Sequence, residues 1–174
     1  MIFLYIIGAI VLLILVLGLL APKGYNVFRT VIINKPKADV FNYVKYIKNQ
    51  DHWSPWKSRD PEMKQSFIGE DGTVGFVSKW KGNKEVGNGE QEIKGIVENE
   101  RIDSELRFFK PWKTTSDAYL KVFDEGDGKT KVVWGFSGKN KFSMSIFMLF
   151  FNMDKSVGKD FEEGLVKLRT ILEV

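Results

Sequence analysis

The side chains that could do chemistry in this chain are few. It carries one histidine and no cysteine, which removes zinc sites built from His and Cys, Cys-His nucleophiles and a second histidine ligand. The histidine, His52, lies between Asp51 and Trp53 and just before Ser54. A serine triad draws its members from separate elements, so this local cluster does not form one. His52 is expected as a polar or aromatic-packed residue at a helix end, with a general base or a ligand contact as the other reading. Glu90, Glu92, Arg107 and Asp117 complete the candidates for proton transfer.

Two loops resemble ligand cradles and fail on spacing. Gly82-Asn83-Lys84-Glu85-Val86-Gly87-Asn88-Gly89 has the glycines of a phosphate loop, but no Lys-Ser/Thr pair follows. Asp124-Glu125-Gly126-Asp127-Gly128 lacks the spaced ligands and closing glutamate of a calcium loop. A hairpin and a solvated turn are expected there, and no metal or cofactor.

Apolar contact is what this composition supplies in quantity. There are fourteen Phe, five Trp and five Tyr, and Trp53, Trp56, Trp80, Trp112 and Trp134 fall on separate predicted elements. Rigid rings suit either a core or the wall of an apolar pocket.

The elements that must position these rings begin with an uncharged run from Met1 to Pro22. About 20 residues at ~1.5 Å each cross the ~30 Å hydrocarbon layer as a helix. A cleaved signal peptide would carry a basic residue before its apolar core and a small-x-small site after it; neither is present, and without cysteine there is no lipoprotein attachment. Residues 1–22 are therefore expected to be a retained single-pass anchor. Lys23, Arg29, Lys35 and Lys37 follow it closely, so the positive-inside rule puts the rest in the cytoplasm.

Residues 26–174 are expected to form one domain. Val27 to Ile33 is β-branched and aromatic, as in a strand, and Val40, Phe41, Tyr43, Val44 and Ile47 recur at helical spacing over 36–48. Turn signals then alternate with strand-like runs to about residue 138, which predicts an antiparallel meander. Charge predicts one register, with Glu92 opposite Arg107 and Lys94 opposite Glu105. In the next hairpin Ala118, Leu120 and Val122 face Val132, Trp134 and Phe136. Phe150, Met153, Val157, Phe161, Leu165, Leu168 and Leu172 repeat through a predicted helix over 145–172 that covers the oily face. Gly158 and Gly164 within it suggest close packing on the sheet, with clearance for a ligand as the alternative. Residues Met144 to Met153 are apolar round nearly the whole helical circumference, so one side must meet loops, a lid or a membrane.

Trp53-Ser54-Pro55-Trp56, Gly87-Asn88-Gly89-Glu90-Gln91, Phe109-Lys110-Pro111-Trp112 and the stretch from Asn152 to Leu165 resemble the START/birch-pollen-allergen-like (SRPBCC) superfamily, nearest its polyketide cyclase/dehydrase-like branch. The resemblance implies an α+β helix-grip fold, a curved antiparallel sheet wrapped round a long C-terminal helix, enclosing an apolar cavity. It implies no particular reaction.

The leading expectation is a membrane-anchored module that binds a lipid-like or other hydrophobic small molecule between sheet and C-terminal helix, against Trp56, Phe76, Trp80, Phe108, Trp134, Phe150, Met153 and Val157. A cyclase- or dehydrase-like enzyme using the same cavity is the alternative, as is a membrane-associated scaffold whose cavity is filled. The net charge of +4 comes from basic residues scattered among acidic ones, which fits weak attraction to anionic headgroups and offers no basic stripe for nucleic acid.

Overall fold

A computed structural model of the protein describes residues 2–111 and 113–174; Trp112 lies outside the described residues. Helix α1 (Ile2–Leu20) is long and apolar enough to cross a membrane, and none of it is buried against the rest of the chain. It runs through Ala21, Pro22 and Lys23 straight into strand β1 (Gly24–Ile33). Helix α2 (Lys37–Val44) buries Val40, Phe41 and Val44, followed by a 3-10 turn, α3 (Gln50–Trp53) and α4 (Pro55–Arg59). The helix expected over 36–48 is therefore shorter and breaks into single turns. Pro55 ends α3 and starts α4, because proline fits a first helical turn but cannot continue a preceding one.

Strands β2 (Lys64–Ile68), β3 (Val77–Lys81), β4 (Asn88–Val97), β5 (Arg101–Lys110), β6 (Thr114–Gly126) and β7 (Lys129–Lys139) join β1 in one antiparallel sheet of seven, ordered β1-β7-β6-β5-β4-β3-β2. The β6/β7 hairpin has the expected pairing, Ala118 with Phe136, Leu120 with Trp134 and Val122 with Val132. Its tight turn holds Gly126, Asp127 and Gly128 at φ of 79°, 51° and 70°, the left-handed region that glycine and aspartate tolerate best. The β4/β5 register differs from expectation: Arg107 pairs with Glu90, and Glu105 with Glu92. An irregularity between Ile93 and Gly95 absorbs a residue, and such a bulge cannot be read from charge.

The C-terminal segment is two helices, α5 (Phe142–Met148) and α6 (Met153–Leu172), where one was expected. Asn152 separates them by capping α6, its side-chain oxygen accepting from the Lys155 amide at 2.9 Å. Helix α6 lies along β1 and buries Gly158, Phe161, Gly164, Leu165 and Leu168.

Candidate functional site

The space under α6 is filled by the chain's own rings. Trp134 of β7 stacks on Phe161 of α6 at 4.3 Å, and Trp53 and Trp56 meet Trp134 edge-on at 4.7 Å and 5.5 Å. Phe136 packs edge-on against Phe161 at 5.6 Å. Tilted and edge-on rings at these separations are favourable packing. Gly164 explains how α6 comes so close, since a Cβ there would stand 2.8 Å from Trp134 and 3.3 Å from Pro55. Close packing is thus the role of this glycine. Between α2, α3 and the sheet lies a cavity of about 10 Å³, lined by Gln50, Gln91, Ser104 and Trp134 among others. That is room for one water.

The eight residues expected to wall one pocket fall into separate groups. Trp56 and Trp134 belong to the packed cluster, with Val157 half-buried beside it. Phe76 is fully buried and stacks on Phe67 at 6.0 Å. Trp80 and Phe108 pair edge-on at 5.7 Å across β3, β4 and β5. Phe150 and Met153 line a different space altogether.

That space is an open groove of about 410 Å³ where β1 leaves α1 and α5 turns into α6. It is lined by apolar Tyr25, Val27, Met148, Leu149, Phe150, Phe151 and Met153 and, in about equal measure, by polar Asn26, Asn140, Asn152 and Asp154. Phe150 is 81% exposed. Tyr25 links groove to core: its hydroxyl is 2.6 Å from Ser116 Oγ and its ring is tilted on Phe136 at 5.1 Å. Burial pushes its pKa up, keeping the phenol neutral.

Arg29 holds the α6 wall of this groove in place. Although β1 is otherwise apolar on that side, Arg29 reaches α6 and donates to Asp154 Oδ1 at 2.8 Å and Glu162 Oε1 at 2.9 Å. Asp154, Gly158 and Glu162 lie one turn apart on the same stripe, and a Cβ on Gly158 would run into the guanidinium. The hydrogen bond from Arg29 holds the Asp154 carboxyl below its usual range. At the start of β1, Asn140 ties down the exit from α1, donating from its amide to the Lys23 carbonyl and from Nδ2 to the Pro22 carbonyl, both at 2.9 Å.

The residues considered for proton transfer do not converge on either space. His52 is exposed, with Nδ1 3.1 Å from the Tyr43 hydroxyl. Glu90, Glu92 and Glu105 all gather round Arg107 on the sheet's outer face, with Glu92 at 2.8 Å, and the hydrogen bond from Arg107 lowers the Glu92 pKa. Asp117 is exposed on β6. No group of carboxylates and histidine among the described residues could hold a metal ion. The ligand-contacting residues expected from sequence do not include Tyr25, Val27, Leu149 and Phe151 of the groove; the all-round apolar run over 144–153 pointed to Leu149 and Phe151, and no signal in β1 pointed to Tyr25 and Val27.

A curved antiparallel sheet of seven strands with a long helix packed along it is the helix-grip fold of the START/birch-pollen-allergen-like superfamily, as the resemblance implied. Solved structures of this fold similar to the chain include a protein from Thermobifida fusca, at 22% identity over 83% of this chain and 90% of that one, with a TM-score of 0.58. Ara h 8.0201 matches at 13% identity over 86% and 95% of the two chains with a TM-score of 0.54. The di-domain ARO/CYC BexL matches at 13% identity over 87% of this chain and 51% of its own, with a TM-score of 0.57. At these identities the likeness is one of fold. Neither a protein-family profile nor a curated protein matches the sequence.

Proposed function

We propose that the chain is a membrane-anchored binding module that takes a lipid-like or other hydrophobic small molecule. Residues 1–22 anchor it and residues 26–174 bind. The site is the open groove at the α5–α6 joint, a relocation from the sheet-to-helix interior expected from sequence. The observation that carries this reading is the groove itself: about 410 Å³, lined by Tyr25, Leu149, Phe150 and Met153 together with polar Asn26, Asn140 and Asn152, within the range of small-molecule pockets, against about 10 Å³ for the cavity between α2, α3 and the sheet. Met148 and Met153 favour an adaptable fit, because thioethers repack round differently shaped guests. The groove's place beside the anchor supports a ligand that partitions into membranes. The lysines and arginine that follow α1 support a cytoplasmic domain.

The test uses the full chain, stripped of lipid in detergent and offered palmitate, phospholipids, a quinone and an aromatic polyketide while thermal unfolding is followed. A ligand at 100-fold its Kd stabilises by about 2.7 kcal/mol, and Phe150→Ser with Met153→Ser is expected to remove the shift. No shift with any member of the panel would overturn the reading. The filled-interior scaffold would then stand, supported by the Trp134 cluster.

A further inference from the structure

We propose that α5 is an in-plane membrane-contact helix, seated on the headgroup–acyl boundary of an anionic leaflet and aiming the groove at it; this rests on the reading of α1 as the anchor. Three observations carry it.

The first is continuity with α1. A Cβ at Gly18 would run into the Phe142 ring, so the first residue of α5 packs on the anchor only two residues before its end at Leu20. At ~1.5 Å per residue that is ~3 Å short of the end of the span. Asn140 clamps the Pro22 and Lys23 carbonyls, and only Ala21, Pro22 and Lys23 separate α1 from β1. Helix α5 is therefore held level with the last turn of the anchor.

The second is its face. Ser145 is buried, and Phe147, on the opposite side of α5, is 47% exposed; Phe142 at its start, against α1, and Leu149 just past its end are exposed at 55% and 39%. Phe147 stacks on Phe151 at 5.6 Å, which makes a broad aromatic surface rather than scattered single residues. An exposed aromatic pair with lysines close by suits a segment at the membrane interface.

The third is charge. The first acidic residue of the chain is Asp39, and none occurs from Lys129 through Met153. Within those two stretches Lys23, Lys139 and Lys141 are exposed round the start of α5. Asp154 beside the groove is paired with Arg29, and the three lysines round the start of α5 suit an anionic phospholipid surface. Strand β1 carries the chain from here to Ile33, about 30 Å away at ~3.3 Å per residue, and Glu173 at the far end of α6 bonds Asn34 there. The domain hangs from this one end.

The absence of cysteine makes the test clean. The full chain is reconstituted in phosphatidylcholine nanodiscs with and without phosphatidylglycerol, carrying one nitroxide at Phe147→Cys, with Val11→Cys in α1 and Val166→Cys on exposed α6 as references. Collision rates with oxygen and with a water-soluble nickel chelate are read by electron paramagnetic resonance. The oxygen-to-nickel ratio at 147 is expected to exceed that at 166 several-fold, and to rise further with phosphatidylglycerol. Leu149→Cys gives a second label should the first perturb folding. A water-like ratio at both 147 and 149, with 11 in hydrocarbon, would overturn the membrane contact and leave the anchor standing. A water-like ratio at 11 as well would overturn both.

Discussion

The two ends of α6 meet opposite surroundings. Toward its C-terminus Phe161, Gly164, Leu165 and Leu168 sink into a packed cluster of Trp53, Trp56, Trp134 and Phe136. Toward its N-terminus Met153, with Leu149, Phe150 and Phe151 just before it, borders a groove open to the outside. The same residue types serve both ends. What separates them is distance between elements: Gly164 brings helix and sheet together at one end, whereas at the other Arg29 sets the helix against the strand through its charged head and leaves room beside it. Aromatic content measures how much apolar contact a domain can make, and helix placement decides whether that contact closes a core or borders a site.

The largest expected effect would come from cutting the closed end. Trp134→Ala should cost about 3–5 kcal/mol, as large aromatic truncations in cores do, while Phe150→Ala should stay within about 0.5 kcal/mol. Urea unfolding of the full chain in detergent reads both. Equal costs would break the contrast between the two ends.

The two helix glycines sharpen it further. Alanine in place of an interior helical glycine gains up to about 1 kcal/mol of propensity. At 164 the new methyl meets a buried tryptophan and a proline, so Gly164→Ala should instead lose about 1–3 kcal/mol by overpacking. At 158 it meets only the far end of Arg29, which can swing away, so Gly158→Ala should cost less. A lower midpoint for 158 than for 164 in thermal unfolding would reverse the assignment of the tight and loose ends.

The smallest effect concerns acid. Arg29 lowers the Asp154 pKa in the folded chain, so the folded state binds fewer protons than the unfolded one as pH falls through the carboxylate range near ~4. This contribution is complete above that range and is lost below it. Arg29→Gln should flatten the acid limb of the stability-pH curve without touching the share that Arg107 gives through Glu92. An unchanged limb would mean that the Arg29 clamp is too screened to matter.

Much of this was legible before any coordinates. The β6/β7 pairing follows from strict alternation about a turn that glycine and aspartate make tight, and the amphipathic stripe of α6 from its three- and four-residue repeat. The β4/β5 register was not, because Glu92 reaches Arg107 at 2.8 Å even from the neighbouring position. The observed register sets Glu92 opposite Glu105, and Arg107 offsets this by reaching both carboxylates. The break at Asn152 was hidden for a similar reason: an asparagine inside an apolar run is compatible with a helix or with a cap. Whether Trp56 and Trp134 would border a hollow or plug it depends on volumes summed across five elements, which residue spacing does not carry.

The most direct measurement is a photo-crosslink map with a diazirine-bearing palmitate on the full chain in micelles, read peptide by peptide. The account predicts adducts on Tyr25 and on residues 148–153 at the groove. Adducts on Trp134, Phe161 or Ile102, beneath α6 and against the sheet, would contradict it.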